Sequence, residues 1–280
     1  MVTRAARRGT LRSRSRARQA ADSPYLGWLA RAGLAARGAM YVLIGIIAVQ
    51  IATGNSRRQA DRSGAVRLVA KTPFGSAVLW LLVVGFAGMT LWRLSEAIWG
   101  AAGEGGRKAS KRLASLVRAV FYGAVTYGIL KYALGVGAPS SSDKQSQDLT
   151  ADALKLPGGQ VLVAIAGVLI IGGGLYVAYR AFRRKFLKHL RMGSATARTR
   201  KVVTRLGQAG GIARGVVFAT VGIFLIIAAL DANPKQAKGI DTALRALAHT
   251  SLGPWLLIII ALGLVTFGVY SWCEARWRAV

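Results

Sequence analysis

The chain has 280 residues, 53% of them hydrophobic, and its 39 Lys and Arg against 10 Asp and Glu give a formal net charge of +29. In a soluble protein that imbalance points to nucleic acid. Here the apolar residues fall in runs long enough to cross a bilayer, and the basic ones fall in a tail and in alternate connections, as the positive-inside rule expects. Composition therefore sets aside an ordinary soluble domain and a nucleic-acid partner, and with Cys273 as the single cysteine it excludes an internal disulfide and a cysteine-based zinc site.

Taken in order, residues 1–24 carry Arg4, Arg7, Arg8, Arg12, Arg14, Arg16 and Arg18 among Ser, Ala and Thr, with almost nothing to bury; this composition predicts a disordered cytoplasmic tail. The first apolar run, 34–52, is followed by no small-x-small cleavage site and is expected to stay as a helix. Further spans are expected at 74–99, 113–134, 158–182, 210–230 and 253–272. The connections 100–112 and 180–205 are strongly basic, whereas 135–157 and 231–252 are near charge balance. That asymmetry puts the tail, the basic connections and both termini on the cytoplasmic side. The connection 53–72 dissents, since it would carry Arg57, Arg58, Arg62, Arg67 and Lys71 outside. A short amphipathic helix is expected before each even-numbered span, with Asp241 capping 242–249 and Thr150 capping 151–156. On an outer interface, Arg67 and Lys71 would snorkel to headgroups.

The chain repeats itself. The column Gly33, Arg37, Tyr41, Gly45, one residue per helical turn, recurs as Ala114, Arg118, Tyr122, Thr126 and as Gly210, Arg214, Phe218, Gly222. Residues 65–99 align without a gap over 243–277, matching Gly85 with Gly263, Trp92 with Tyr270 and Glu96-Ala97 with Glu274-Ala275. In the second copy Pro157, Gly159 and Tyr176 hold the corresponding places, but Arg180 stands where the others have glutamate. The resulting division is a tail (1–24), three two-helix repeats (25–105, 106–185 and 207–280) and a basic connection (186–206). The fold class expected is an all-α membrane protein: six transmembrane helices as three parallel helical hairpins about a pseudo-threefold axis along the membrane normal.

Tandem two-helix units with Arg37-Gly38-x-x-Tyr41 early in the first helix, and an aromatic followed by Glu-Ala late in the second, resemble the bacterial membrane family called domain of unknown function 1206, over about 27–277. The resemblance implies six spans in a bacterial cytoplasmic membrane. It carries over no activity, substrate or site.

Chemistry-bearing constellations are sparse. His189 and His249 are predicted on opposite sides of the membrane, the carboxylates form no metal-like cluster, and 103–108 lacks the spacing of a phosphate-binding loop. No enzyme, cofactor or metal is expected. Gly207, Gly211 and Gly215 predict a helix-packing face, and Gly172 to Gly174 a similar approach or a local bend. Topology brings Arg37, Arg118, Arg214, Glu96, Arg180 and Glu274 to one depth near the cytoplasmic side. The simplest arrangement closes each hairpin with its own pair, Arg37 with Glu96 and Arg214 with Glu274. In the second copy Arg118 and Arg180 find no glutamate at the matching place, unless Glu104 supplies one; that excess charge would suit a lipid phosphate or a cytoplasmic anion. Lys131, in the outer half of the third span, marks either a pathway or a snorkelling cation. The function expected is a non-enzymatic structural or interaction protein whose cytoplasmic face engages anionic lipid headgroups, a membrane-protein partner or a second copy of itself. The alternative is a channel or transporter for an ion or small solute, disfavoured by how few polar residues lie at mid-depth.

Overall fold

The structure is a computed structural model that describes residues 24–54, 58–100, 108–137, 139–193, 195–248 and 253–278. The basic tail, Glu104 with its surrounding glycines, and His249 lie outside the described residues. Among the described residues, six helices are long and apolar enough to span a membrane. They are α1 (Pro24–Ala52), α3 (Gly75–Trp99), α4 (Ala109–Ala133), α6 (Gly159–Phe182), α7 (Ala197–Leu230) and α9 (Gly253–Trp277). Three short helices, α2 (Arg62–Ala70), α5 (Ser142–Leu154) and α8 (Ile240–Ala248), lie between the two long helices of each repeat.

Two long helices, α1 from Pro24 and α7 from Ala197, begin well ahead of the apolar stretches that announced them. Helix α7 begins at Ala197 after an N-cap at Thr196, whose hydroxyl accepts from the Thr199 amide at 3.2 Å. Arg198, Arg200, Lys201 and Arg205 then carry the helix through the basic segment, because Arg and Lys are good helix formers whatever their hydropathy. The short helices also start elsewhere than expected. Ser141 caps α5 by accepting from the Lys144 amide, and Thr150 is buried within that helix. Asp241 lies inside the first turn of α8 rather than ahead of it.

The long helices pack in the order α4, α3, α1, α9, α7, α6. The closest pairs join one repeat to the next: α6 with α7, α9 with α1, and α3 with α4. Contacts inside a repeat, α1 with α3 and α7 with α9, are less extensive, and among the described residues α4 and α6 of the second repeat make at most marginal contact. The pseudo-threefold ring of three hairpins is therefore present but broken at one place, within the second hairpin.

Backbone proximity explains the two tightest pairs. A methyl group on Gly268 would meet the Gly38 carbonyl oxygen at 2.6 Å, and one on Gly38 the Gly268 oxygen at 2.8 Å. Gly174 and Gly215 stand in the same reciprocal relation across α6 and α7, each 2.6 Å from the other's carbonyl oxygen by that measure. Gly211 faces Ala181 in that interface, whereas Gly207 receives the rings of Phe186 and Tyr270. Of the triple glycine only Gly174 packs; Gly172 and Gly173 face open space, and α6 continues through them as unbroken helix. The α3–α4 pair uses side chains instead, with Phe86 stacked on Tyr122 at 6.1 Å and the Thr90 and Thr126 hydroxyls 3.4 Å apart.

At the end of the bundle covered by α2, α5 and α8, three aspartates tie the repeats into a cycle. Asp61 Oδ2 accepts from the Ser142 amide at 2.6 Å, Asp143 Oδ1 from the Gly239 amide at 2.6 Å, and Asp241 Oδ1 from the Ala60 amide at 2.7 Å. Each repeat thus offers one carboxylate to the backbone of the next. Asp61 is wholly buried and also caps α2 through the Gly64 amide, and burial pushes the Asp241 carboxyl above its usual pKa. Arg67 hydrogen-bonds the Pro139 carbonyl at 3.3 Å, joining the first and second repeats at this end.

Two substitutions separate packing glycines from idle ones. Gly268→Ala should destabilise the purified protein by about 1–3 kcal/mol, the usual cost of overpacking, seen as a lower thermal midpoint. Gly172→Ala, with no atom within 4 Å of the added methyl, should leave the midpoint unchanged or raise it, since alanine is favoured over glycine in a helix by about 1 kcal/mol. Equal losses from both would refute the close-approach account.

Candidate functional site

The repeated columns meet at the centre of the ring. Arg37 and Tyr41 of α1, Tyr122 of α4, and Arg214 and Phe218 of α7 line one chamber, of about 740 Å³ with its open mouth included. Met40, Ile44, Phe86, Val125, Val217 and Leu264 supply apolar wall, and Arg62 of α2 enters from the aspartate-clasped end. The axis of the repeats is not packed solid.

The three guanidinium groups are held differently. Arg37 is 7% exposed; its Nε and Nη2 donate to the Ser271 hydroxyl at 3.2 and 3.1 Å, and its Nη2 to Glu274 Oε2 at 2.5 Å. Glu274 also accepts from Arg278, one turn on. The pairing of Arg37 with Glu96 and of Arg214 with Glu274 is thereby corrected. The reason is packing: α1 lies closest to α9, through Gly38 and Gly268, so the glutamate within reach of Arg37 belongs to the third repeat. Glu96 turns to its own helix and to α4, accepting from Arg93 Nη1 at 2.6 Å and from the Ser115 hydroxyl at 3.2 Å.

Arg214 has no ion pair or hydrogen bond among the described residues, and its buried Nε is unpartnered. Its Cζ stands 4.9 Å from the Phe218 ring, 5.0 Å from Phe267 and 5.7 Å from Tyr41. Aromatic faces within about 6 Å attract a cation, but they accept none of its N–H bonds. Arg62 places its Cζ 4.7 Å from the Phe121 ring, and burial holds its pKa below the ordinary arginine value.

Arg118 and Arg180 belong to α4 and α6, the two helices that flank the break. Arg118 is exposed, Arg180 half-buried with its Cζ 5.7 Å from the Tyr176 ring of its own helix, and neither has a carboxylate within ion-pair distance among the described residues. Lys131 is exposed, 5.6 Å from the Tyr127 ring, and does not line the chamber.

Arg93 and Arg278 were not singled out by the sequence, although both had a signal: Arg93 precedes Glu96 by three residues and Arg278 follows Glu274 by four, both one-turn spacings. They flank Trp92, with their Cζ atoms 4.0 and 4.8 Å from its ring. The signal for Arg62 was the surplus of positive charge in 53–72, a connection where the charge rule expected little. No group of His, Cys, Asp and Glu among the described residues is arranged to hold a metal ion.

Comparison with known proteins follows the repeats. The family described as Domain of Unknown Function (DUF1206) matches at residues 32–100, 113–184 and 209–278, once per repeat. A protein of Bacillus subtilis (strain 168), "Uncharacterized protein YxxB", is 30% identical over 250 residues, which cover 89% of this chain and 90% of that protein. No solved structure matches the chain.

The ion-pair assignment is open to a double-mutant cycle on thermal or denaturant stability. Arg37→Met combined with Glu274→Gln should show a coupling of about 0.5–3 kcal/mol, as groups in one network do, whereas Arg37→Met with Glu96→Gln should be additive within about 0.5 kcal/mol. Coupling to Glu96 and none to Glu274 would reinstate pairing within the hairpin.

Proposed function

The chain belongs to the DUF1206 family in each of its three repeats, and on that premise we propose that it is a non-enzymatic protein of a bacterial cytoplasmic membrane that holds anionic lipid headgroups on its cytoplasmic side. The observation that carries this reading is the pair Arg118 and Arg180, on the helices flanking the break, each without a carboxylate within ion-pair distance among the described residues. Arg37 spends its charge on Glu274, and Arg93 on Glu96. A guanidinium near a bilayer surface is best matched by a phosphate, which it can hold through two N–H groups at once. The basic connections support the orientation, with both termini cytoplasmic, because they emerge at the same end as these arginines.

A second reading, a channel or transporter for an ion or small solute, is favoured by one observation, the chamber on the axis. Its walls are mostly apolar, and the exposed Lys131 does not line it, which is poor provision for a hydrated ion.

Native mass spectrometry of protein released from vesicles containing phosphatidylglycerol tests the first reading. Arg118→Ala/Arg180→Ala should retain about 30-fold less anionic lipid, taking about 1 kcal/mol for each basic residue at an anionic surface. Unchanged retention refutes it. Flux in proteoliposomes that depends on the protein would favour the second reading instead.

A further inference from the structure

We propose that the chamber is a binding site for a single acyl chain ending in an anion, with Arg214 as the partner of its charge. This goes beyond the surface reading above and stands independently of Arg118 and Arg180, neither of which lines the chamber.

Three observations converge on this ligand chemistry. The wall between the arginines is hydrocarbon, so most of a ligand that fits it must be hydrocarbon too. Arg214 brings a full positive charge to that wall with its Nε unpartnered and no carboxylate within ion-pair distance among the described residues. Arg37, by contrast, is already matched by Glu274 and Ser271. Arg214 is half-buried, with its Nε cut off from solvent; a cation drawn from water in a membrane protein is costly unless paired, and an anionic headgroup supplies both the opposite charge and acceptors for the N–H groups that the aromatic rings leave unused.

The third observation is the mouth. Helix α6 contributes nothing to the chamber lining, because it packs on the flank of α7 instead of closing against α4. Phe121 of α4 lines the chamber and is still 49% exposed, so the chamber reaches the surface on the side where the ring is broken. That side of the bundle, bearing exposed Val117, Val120 and Phe121, faces hydrocarbon in a bilayer. A ligand enters sideways from the lipid rather than from water. A neutral lipid would leave Arg214 unanswered, and a small inorganic anion would leave the apolar wall uncovered; an amphipathic anion satisfies both.

The test uses the full chain in detergent, with palmitate as the probe, hexadecanol as its neutral counterpart and phosphatidylglycerol as a two-chain competitor. Native mass spectrometry should show one palmitate per chain, bound at least tenfold more tightly than hexadecanol and not displaced by an equal concentration of phosphatidylglycerol. Arg214→Gln should weaken palmitate at least tenfold, the size of one charge-assisted hydrogen bond, and Val217→Trp, which fills the chamber, should abolish binding. Arg118→Ala/Arg180→Ala should leave palmitate binding unchanged even if it reduces headgroup retention, so the two proposals fail separately. Should either chamber variant not fold, a diazirine-bearing palmitate on the unmodified protein decides: crosslinks to Met40, Phe86 or Val125 support the site. Equal affinity for hexadecanol, displacement by phosphatidylglycerol, an Arg214→Gln chain that folds and binds normally, or crosslinks confined to outward residues such as Leu81 and Leu169 would each overturn it.

Discussion

Lipid tails are as apolar as leucine, so helices in a bilayer gain little by burying hydrocarbon against one another; what draws them together is close packing of backbones and a few polar contacts. In this bundle that constraint is met at Gly38 with Gly268 and at Gly174 with Gly215, where two helices touch backbone to backbone. Everything else in the arrangement answers to those contacts. They fix α9 against α1 rather than leaving α1 to pair first with its own hairpin partner, and they hold α6 on the outside of α7. The placement of Glu274 beside Arg37 and the opening beside α4 are both results of which glycines face which.

The same packing sorts the positive charge at the centre. One guanidinium meets a glutamate shared with a neighbour, one is caged by aromatic rings, and one descends from the clasped end to lie on Phe121. These solutions differ in what they leave unsatisfied. A carboxylate takes both charge and hydrogen bonds, whereas a ring face takes charge alone. Arg37 and Arg214 occupy equivalent places in their repeats, yet among the described residues only Arg37 has a carboxylate at hand, so repetition of sequence has not produced repetition of chemistry.

Much of the architecture was legible because it rests on long-wavelength patterns. Apolar runs marked all six spans, and Gly85 with Gly263 and Glu96 with Glu274 in register revealed the repeat. The partner of Arg37 was not legible, because alignment tells which residues are equivalent and not which repeat supplies a neighbour; Glu96 and Glu274 were equally good candidates until α1 was seen to pack on α9. The aspartate cycle was hidden for a related reason. Asp61, Asp143 and Asp241 do not align in the repeat, and a hydrogen bond to a backbone amide leaves no mark on the identity of the donor residue. The start of α7 was obscured because hydropathy measures what lipid tolerates, while Arg198 to Arg205 is helical for reasons of backbone propensity.

The closure of the third repeat on the first has a consequence in time. Ala60 finds Asp241 across 181 positions and Arg37 finds Glu274 across 237. A chain made from its N-terminus inserts α1 long before α9 exists. During most of synthesis the Arg37 charge is in the membrane without its carboxylate, and the first hairpin lacks the surface that holds it most tightly. Final ordering of the bundle is thus a ring closure that waits for the last span, and a chain cut within α9 just before Glu274 keeps most of that span but loses the carboxylate that locks it to α1.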